Sequence, residues 1–389
     1  TDNERILGLG DQGAGGMVIP VGKLSLYTLG AGIYPAYTLP VSLDVGTDNQ
    51  ALLGDDNYVG WPHPRLRGEA YDEIVEEFVD AVRRRWPSAL LQWEDFKKAN
   101  AFRLLDRYRS VLPSFNDDIQ GTGAVVAAGL LAACRTTGVK LEDQRVLLVG
   151  AGAAGVGIAR QIRHLVRAAG AREDPSAHMA LFDTEGLVVD DRAGLDAHKT
   201  EFAWSAAAAQ GITADTRRDL AGFIDVFRPS VLIGTTGQPR VFDERVIRAL
   251  GRHTDRPVIL ALSNPTSKTE GIPAEIAAWT EGRALIATGS PFDPVEVGGR
   301  TIPVSQCNNV YVFPGVGLGA IVSGARQVTD SMFGAAAECL AAQVSEADLG
   351  RGALYPPIAD LRAISRRIAL AVAREARDCG AAPDRTDEE

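Results

Sequence analysis

Cysteine is scarce in this chain. Cys134, Cys307, Cys339 and Cys379 are the only four in 389 residues, widely separated and without a CxxC pair. Such spacing speaks against a disulfide framework and predicts a reducing, cytoplasmic setting. Histidine is nearly as rare: the five residues are scattered with no HxxxH spacing, so nothing recommends a zinc site and any metal should be held by oxygen. No apolar run reaches the roughly 18 residues that would suggest a membrane span, and no signal peptide is visible. Positive charge is also in deficit. With 40 Lys and Arg against 50 Asp and Glu, the net charge of −10 argues against a nucleic-acid partner, which calls for a clustered basic excess. Basic clusters such as Arg83-Arg84-Arg85 stand beside acids, here Glu76, Glu77 and Asp80, and suggest a solvated helix face. Internal repeats are absent, and low complexity is confined to the polar tail from Gly380 to Glu389, expected to be frayed. The chain opens at Thr1 without an initiator Met and runs almost directly into "ERILGLG", so an upstream segment is expected to be lacking.

What is present is ordinary globular material, 46% hydrophobic and 23% charged, long enough for two domains. Short apolar runs end in Gly, Asn or Asp turns: Arg5 to Leu9, Leu39 to Val45, Arg145 to Val149, Ser230 to Ile233, Val258 to Leu262 and Ala284 to Ala287. Segments with helical spacing lie between them, including Tyr71 to Arg85, Gly123 to Thr136, Val156 to Ala168 and Glu244 to Leu250. The alternation predicts an α/β protein with parallel sheets covered on both faces, whose ligands bind beyond the carboxyl ends of the strands.

The sharpest local signal is "RVLLVGAGAAGVGIARQI". A β-rich run leads into Gly150-x-Gly152-x-x-Gly155 and then a helix, the context in which a dinucleotide pyrophosphate reaches backbone N–H groups at a helix N-terminus. Ala153 and Ala154 belong to the same turn. Asp183, ending "HMALFD", is the acid expected on the adenosine ribose; it lies farther from the glycines than usual because "RAAGAREDPS" lengthens the connection. Lys199, Arg192 and the uncharged Thr184 are close enough in sequence to accommodate a 2′-phosphate, which leaves NAD and NADP both open.

A second Gly-rich stretch, "ILGLGDQGAGG", precedes a helix start that carries Lys23. An ordinary surface lysine is the simpler reading; in a partly dry cleft with neighbouring cations, a lowered pKa would make it a general base. The acids are paired: Glu94-Asp95 follow a strand-like "LLQW", and Asp117-Asp118 come after an intervening helix. Helix capping would explain the second pair alone. Convergence of both pairs would make an oxygen site for a hard cation, Mg²⁺ or Mn²⁺.

Taken together, "TDNERILGLGDQGAGGMVIPVGKLSLYTLGAGIYPAYTLPVSLDVGTDN", "LLQWEDF", "FNDDIQGT", "ALSNPTS", "TGSPFDPV" and "CNNVYVFPGVGLG" closely resemble the malic enzyme family, in the family's order and from the first residue to at least Val328. The resemblance implies oxidative decarboxylation of (S)-malate to pyruvate and CO₂ with NAD(P)⁺ and a divalent metal, in a homo-oligomer (dimer or tetramer). It implies Lys23 as general base, Asp117 as the partner of that lysine, and Glu94, Asp95 and Asp118 as metal ligands. Arg5 would bind a malate carboxylate, and Asn264 and Asn309 would line the substrate and nicotinamide pocket. The family's upstream tyrosine, in a "YTP" context, has no counterpart in these residues; Tyr27, Tyr34 and Tyr37 are given no role. The expected organisation is a substrate and metal domain over 1–116, a Rossmann-type domain over 117–308, a return to the first domain with C-terminal helices over 309–379, and a flexible tail over 380–389, with the active site in the cleft. Two other readings remain: a malolactic enzyme that releases lactate, and a catalytically silent nucleotide-binding subunit.

Overall fold

The computed structural model describes residues 1–6, 8–170 and 178–384. Most of the long connection expected after Arg167, and the end of the polar tail, lie outside them. The chain divides into two compact units, one made of Thr1–Gly121, Asn309–Ala336 and Ile358–Glu389, the other of Thr122–Asn308 and Ala337–Pro357. Residues 117–121, the Asp pair among them, thus go with the first unit and 337–357 with the second, whereas the expected boundaries place each in the other.

The first unit is mainly helical. Its parallel sheet has two strands, β1 (Leu91–Trp93) and β2 (Ser114–Asn116), in register with Trp93 opposite Asn116. They are joined by the helix Lys98–Tyr108, a compact crossover. Gly68–Arg85 places Tyr71, Val75, Val79 and Val82 inward at helical spacing. The two runs expected as strands nearer the N-terminus are not strands. Ile6 and Gly10 bond each other through both main-chain groups, Ile6 N to Gly10 O at 3.1 Å and the reverse at 2.8 Å, which closes a turn; Leu7 lies outside the described residues. Leu39–Val45 is irregular because Pro40 lacks a donor and the neighbouring main chain bonds Thr1 and Leu66 instead of a sheet.

The second unit carries a seven-stranded sheet, with β3 (Val146–Val149), β4 (Met179–Asp183), β5 (Gly186–Leu187), β6 (Val231–Gly234), β7 (Val258–Ala261), β8 (Leu285–Thr288) and, after the hairpin β9 (Val295–Val297) and β10 (Arg300–Ile302), β11 (Val304–Gln306). The spatial order is β11-β8-β7-β6-β3-β4-β5, parallel except for β5. The four-residue core strands are wholly buried, as a sheet covered on both faces requires. An aromatic group of Phe182, Trp204, Phe223 and Phe227 packs one side.

Chain order reverses at β3, which lies between β4 and β6, so the crevice for a ligand opens at the carboxyl ends of β3 and β6. The Gly-rich turn leaves β3 there and enters the helix Ala153–Ala168. A side chain at 155 would bring its Cβ to 1.9 Å from the Gly150 carbonyl oxygen, so the turn closes only on glycine. Gly155→Ala is expected to destabilise the protein by about 1–3 kcal/mol in urea unfolding; unchanged stability would show that this turn relaxes freely.

Candidate active site

Lys23 lies on the helix Val18–Leu26 and reaches toward the carboxyl ends of β1 and β2. Its ammonium donates to Asp117 Oδ2, stands 3.0 Å from Glu94 Oε1 and lies over the Phe313 ring, 4.5 Å from the centroid. Asp117 is fully buried and also accepts from Asn309 Nδ2 at 3.0 Å, while its main-chain carbonyl takes the same amide at 3.2 Å. Its carboxylate fits because residue 121 is glycine: a Cβ there would come within 1.8 Å of Asp117 Oδ1.

Glu94, Asp95 and Asp118 converge. One carboxylate oxygen of each lies within 4.8 Å of the other two. Glu94 and Asp95 are buried, and Asp118 is half-buried. The Asp95 N–H donates to Asp118 Oδ2 at 2.8 Å, which ties the turn after β1 to the turn after β2. Asp95 sits at φ 58, a left-handed conformation that Asp tolerates better than most residues and that often marks functional turns. Burial pushes the carboxyl pKa of Glu94 up to about 8, with Asp118 and Asp117 adding to the rise and Lys23 opposing it. Asp95 and Asp118 are likewise raised, first by burial and then by the acid next to each. A compact, mutually repelling set of oxygen donors is suited to a hard dication.

For Lys23 the expected lowering of pKa is not found. Burial acts in that direction, but Asp117 and Glu94 outweigh it, and the ammonium is held well above its ordinary value. Among the described residues it is carboxylates, not the expected cations, that flank its ammonium. The ammonium gives up its proton, and so becomes able to accept another, only when that negative charge is offset.

Arg5 adjoins the cluster through its backbone, whose N–H donates to the Asp95 carbonyl at 3.3 Å. Its side chain is exposed. The loop that carries it is pinned by Tyr71 on Asp2 at 2.7 Å, by Asn3 on the Gly13 carbonyl at 2.8 Å, and by Arg65, whose guanidinium grips Asp11 through two bonds of 2.8 and 2.7 Å.

In the second unit, Gly150 N donates to the Phe182 carbonyl at 2.7 Å and its own carbonyl accepts from Thr235 Oγ1 at 3.0 Å. Gly152 caps the helix, with Ala153 and Ala154 opening its first turn. An added Cβ at Gly152 would meet nothing within 4 Å, so this face of the turn is open for close approach. Asp183 ends β4 and accepts from Arg192 twice at 3.0 Å and from Lys199 at 2.7 Å; against burial, these cations hold its carboxyl below the usual range. Asn264 follows β7, and its Oδ1 accepts from Ser290 Oγ at 2.5 Å.

Three residues escaped the sequence. Tyr27 donates to Gln92 Oε1 at 2.6 Å, and Gln92 Nε2 donates to Glu94 Oε2 at 3.1 Å. Periodicity could have found both, since Tyr27 is four residues past Lys23 on a helical segment and Gln92 is two before Glu94 along a strand. Glu270 is fully buried and accepts from the N–H and hydroxyl of both Thr236 and Ser263, at 2.5 to 3.1 Å. It ties the turn after β6 to the turn that presents Asn264. A lone Glu after "SNPTSKT" carries no periodic signal.

A Gly-rich turn at the fork of a parallel sheet, with an acid ending the next strand, defines a Rossmann-type unit, and the first unit adds a lysine–carboxylate centre of the kind an oxidoreductase uses on an alcohol. Residues 1–109 match the family model "Malic enzyme, N-terminal domain", and residues 119–377 match "Malic enzyme, NAD binding domain". The "NAD-dependent malic enzyme" of Sodalis glossinidius is 52% identical over 386 residues, covering 98% of this chain and 68% of that protein. The protein of the same name from Pseudomonas aeruginosa is 50% identical over 393 residues, covering 100% and 69%. Among solved structures, the Entamoeba histolytica malic enzyme superposes with a TM-score of 0.76 at 26% identity, covering 99% of this chain and 70% of that one. That from Pyrococcus horikoshii gives 0.74 at 26%, covering 99% and 77%. The chain belongs to the malic enzyme family. The lactate-forming and silent readings find no support in these relatives.

The raised carboxyl pKa values carry a sign. A group whose pKa is higher in the folded than in the unfolded protein stabilises the fold at low pH and loses that contribution as pH rises through the folded value. For Glu94 the window runs from its ordinary 4.5 to about 8. In chelator, Glu94→Gln is therefore expected to gain stability relative to the parent between pH 5 and pH 8, by about 1 kcal/mol or more, in urea titrations at each pH. A constant difference across that range would contradict the charge crowding described.

Proposed function

We propose that the chain catalyses oxidative decarboxylation of (S)-malate to pyruvate and CO₂ with reduction of NAD⁺, using Mg²⁺ or Mn²⁺ held by Glu94, Asp95 and Asp118. The observation that carries this reading is the Lys23 ammonium bridging Asp117 and Glu94 at the edge of the three-carboxylate cluster. The names of the relatives point the same way.

Malate brings two carboxylates and a secondary alcohol. Arg5 offers a planar fork for one carboxylate, Asn309 supplies an amide beside Asp117, and Asn264, in the second unit, supplies one toward the nicotinamide. A cation held by Glu94, Asp95 and Asp118 would supply Lewis acidity toward the substrate alcohol, and a bound nicotinamide would supply a hydride acceptor. With Glu94 and Asp118 offset in this way, Lys23 would give up its proton more readily, and its free amine would take the C2 hydroxyl proton as hydride leaves C2. Asp117 holds the resulting ammonium, and Asn309 holds Asp117. Cleavage of C3–C4 then releases CO₂ and leaves an enol carbon that must gain one proton. The reaction balances without net proton release, because the proton removed from the hydroxyl equals the one delivered to C3.

Asp183 bears on the choice of dinucleotide. Its carboxylate suits a ribose 2′-hydroxyl and repels a 2′-phosphate, while Arg192 and Lys199 are occupied in holding it. Asp183→Asn should release both cations and shift the ratio of kcat/KM for NADP⁺ over NAD⁺ upward by about tenfold or more, the equivalent of about 1.4 kcal/mol; an unchanged ratio would remove Asp183 from cofactor selection.

The main test is absorbance of reduced nicotinamide with malate and Mn²⁺, with pyruvate assayed at the end point. Lys23→Ala is expected to lower kcat by about 10² to 10⁴-fold with dinucleotide affinity nearly intact. Asp118→Ala is expected to abolish Mn²⁺ binding. Loss of dinucleotide binding alone in the first variant, or unchanged Mn²⁺ affinity in the second, would overturn these assignments.

A further inference from the structure

Glu94 stands between two claims. One oxygen faces the Lys23 ammonium at 3.0 Å, and the carboxylate also belongs to the cluster with Asp95 and Asp118. Left to Coulomb attraction alone, the side chain would swing to the lysine, to which it is the second carboxylate after Asp117. Something must hold it at the angle that serves both.

The Gln92 amide is in that place. Its Nε2 lies 3.1 Å from Glu94 Oε2. When Glu94 holds a cation it is ionised and only accepts, so Gln92 turns its NH₂ toward Glu94 and its carbonyl oxygen away, the arrangement seen here. That oxygen then meets the Tyr27 hydroxyl at 2.6 Å, which must donate. Direction is fixed from Glu94 outward, through Gln92 to the phenol.

The phenol has been given room. Tyr27 is buried, with its ring 5.1 Å from that of Phe313. On the helix Phe313–Ser323, residue 317 is glycine, and a Cβ there would lie 2.5 Å from Tyr27 Cε1 and 2.7 Å from its hydroxyl oxygen. The same helix thus supplies the ring under Lys23 and the gap that seats Tyr27. Burial, with Asp117 and Glu94 adding to it and Lys23 opposing, keeps the phenol protonated far above the ordinary range.

We propose that Tyr27 and Gln92 are positioning residues that hold Glu94 in its cation-binding orientation, with Tyr27 acting only through Gln92. Neither touches the reacting atoms. Partners of this kind to a metal ligand are commonly worth about 10- to 100-fold in metal affinity. The inference rests on the cation site proposed above.

The test is Mn²⁺ titration of the full chain without substrate, reading free Mn²⁺ by electron paramagnetic resonance, for the parent, Tyr27→Phe, Gln92→Leu, the double variant and Gly317→Ala. Gln92→Leu is expected to weaken Mn²⁺ binding by about 10- to 100-fold and Tyr27→Phe by about 3- to 10-fold. Because Tyr27 acts through Gln92, the double variant should bind no more weakly than Gln92→Leu alone. Gly317→Ala, which displaces the phenol by another route, should match Tyr27→Phe and add nothing to it. In turnover, Tyr27→Phe should raise the Mn²⁺ concentration for half-maximal rate while kcat at saturating Mn²⁺ stays within about twofold, a split that general loosening of the fold would not give. Parent-like Mn²⁺ affinity in Tyr27→Phe, or losses that multiply in the double variant, would overturn the relay. A parent protein that binds no Mn²⁺ would overturn the cation site itself.

Discussion

Four carboxylates and one ammonium share a small, largely dry volume in the first unit, and that crowding of like charge governs much around it. A single lysine cannot neutralise Glu94, Asp95, Asp117 and Asp118 together. The surplus shows as carboxyl groups with raised pKa values beside a lysine that clings to its proton. At the proposed cation site, a dication would offset most of that surplus, favouring ionised acids and a lysine that loses its proton more readily.

The scaffold is arranged to keep those charges together against their repulsion. β1 and β2 run parallel and end side by side, so the acid pairs after each emerge at the same level, and a main-chain bond from Asp95 to Asp118 fastens the two turns. The Asp11–Arg65 pair does similar work for the loop before the lysine helix. In the second unit, buried Glu270 plays the corresponding part with neutral donors, joining the turns after β6 and β7.

Legibility in the sequence followed the length scale of each signal. The strand–glycine–helix turn at 146–168 and the strands β6 to β8 were readable because their apolar runs are wholly buried and bounded by turn residues. The runs at Arg5 to Leu9 and Leu39 to Val45 fold as a turn and an irregular segment, because Ile6 pairs locally with Gly10 while Pro40 and main-chain bonds to Thr1 and Leu66 keep the second run out of a sheet. Lys23 and the acid pairs stood out as residues and took their separate roles from the resemblance; the lowered pKa expected of Lys23 is not found, because carboxylates 70 to 95 residues away decide it. Tyr27 and Gln92 were passed over although their spacing from Lys23 and Glu94 was plain, for want of a reason to ask what holds the ligand.

Gly121 has the opposite character to the residues around it. It offers no charge, donor or nucleophile of its own side chain, yet the Asp117 carboxylate occupies the space where its Cβ would be. In a comprehensive substitution survey this position would score as intolerant as the acid it accommodates. An absence of atoms, inherited as strictly as a functional group, would then be mistaken for chemistry by any method that ranks importance from tolerance alone.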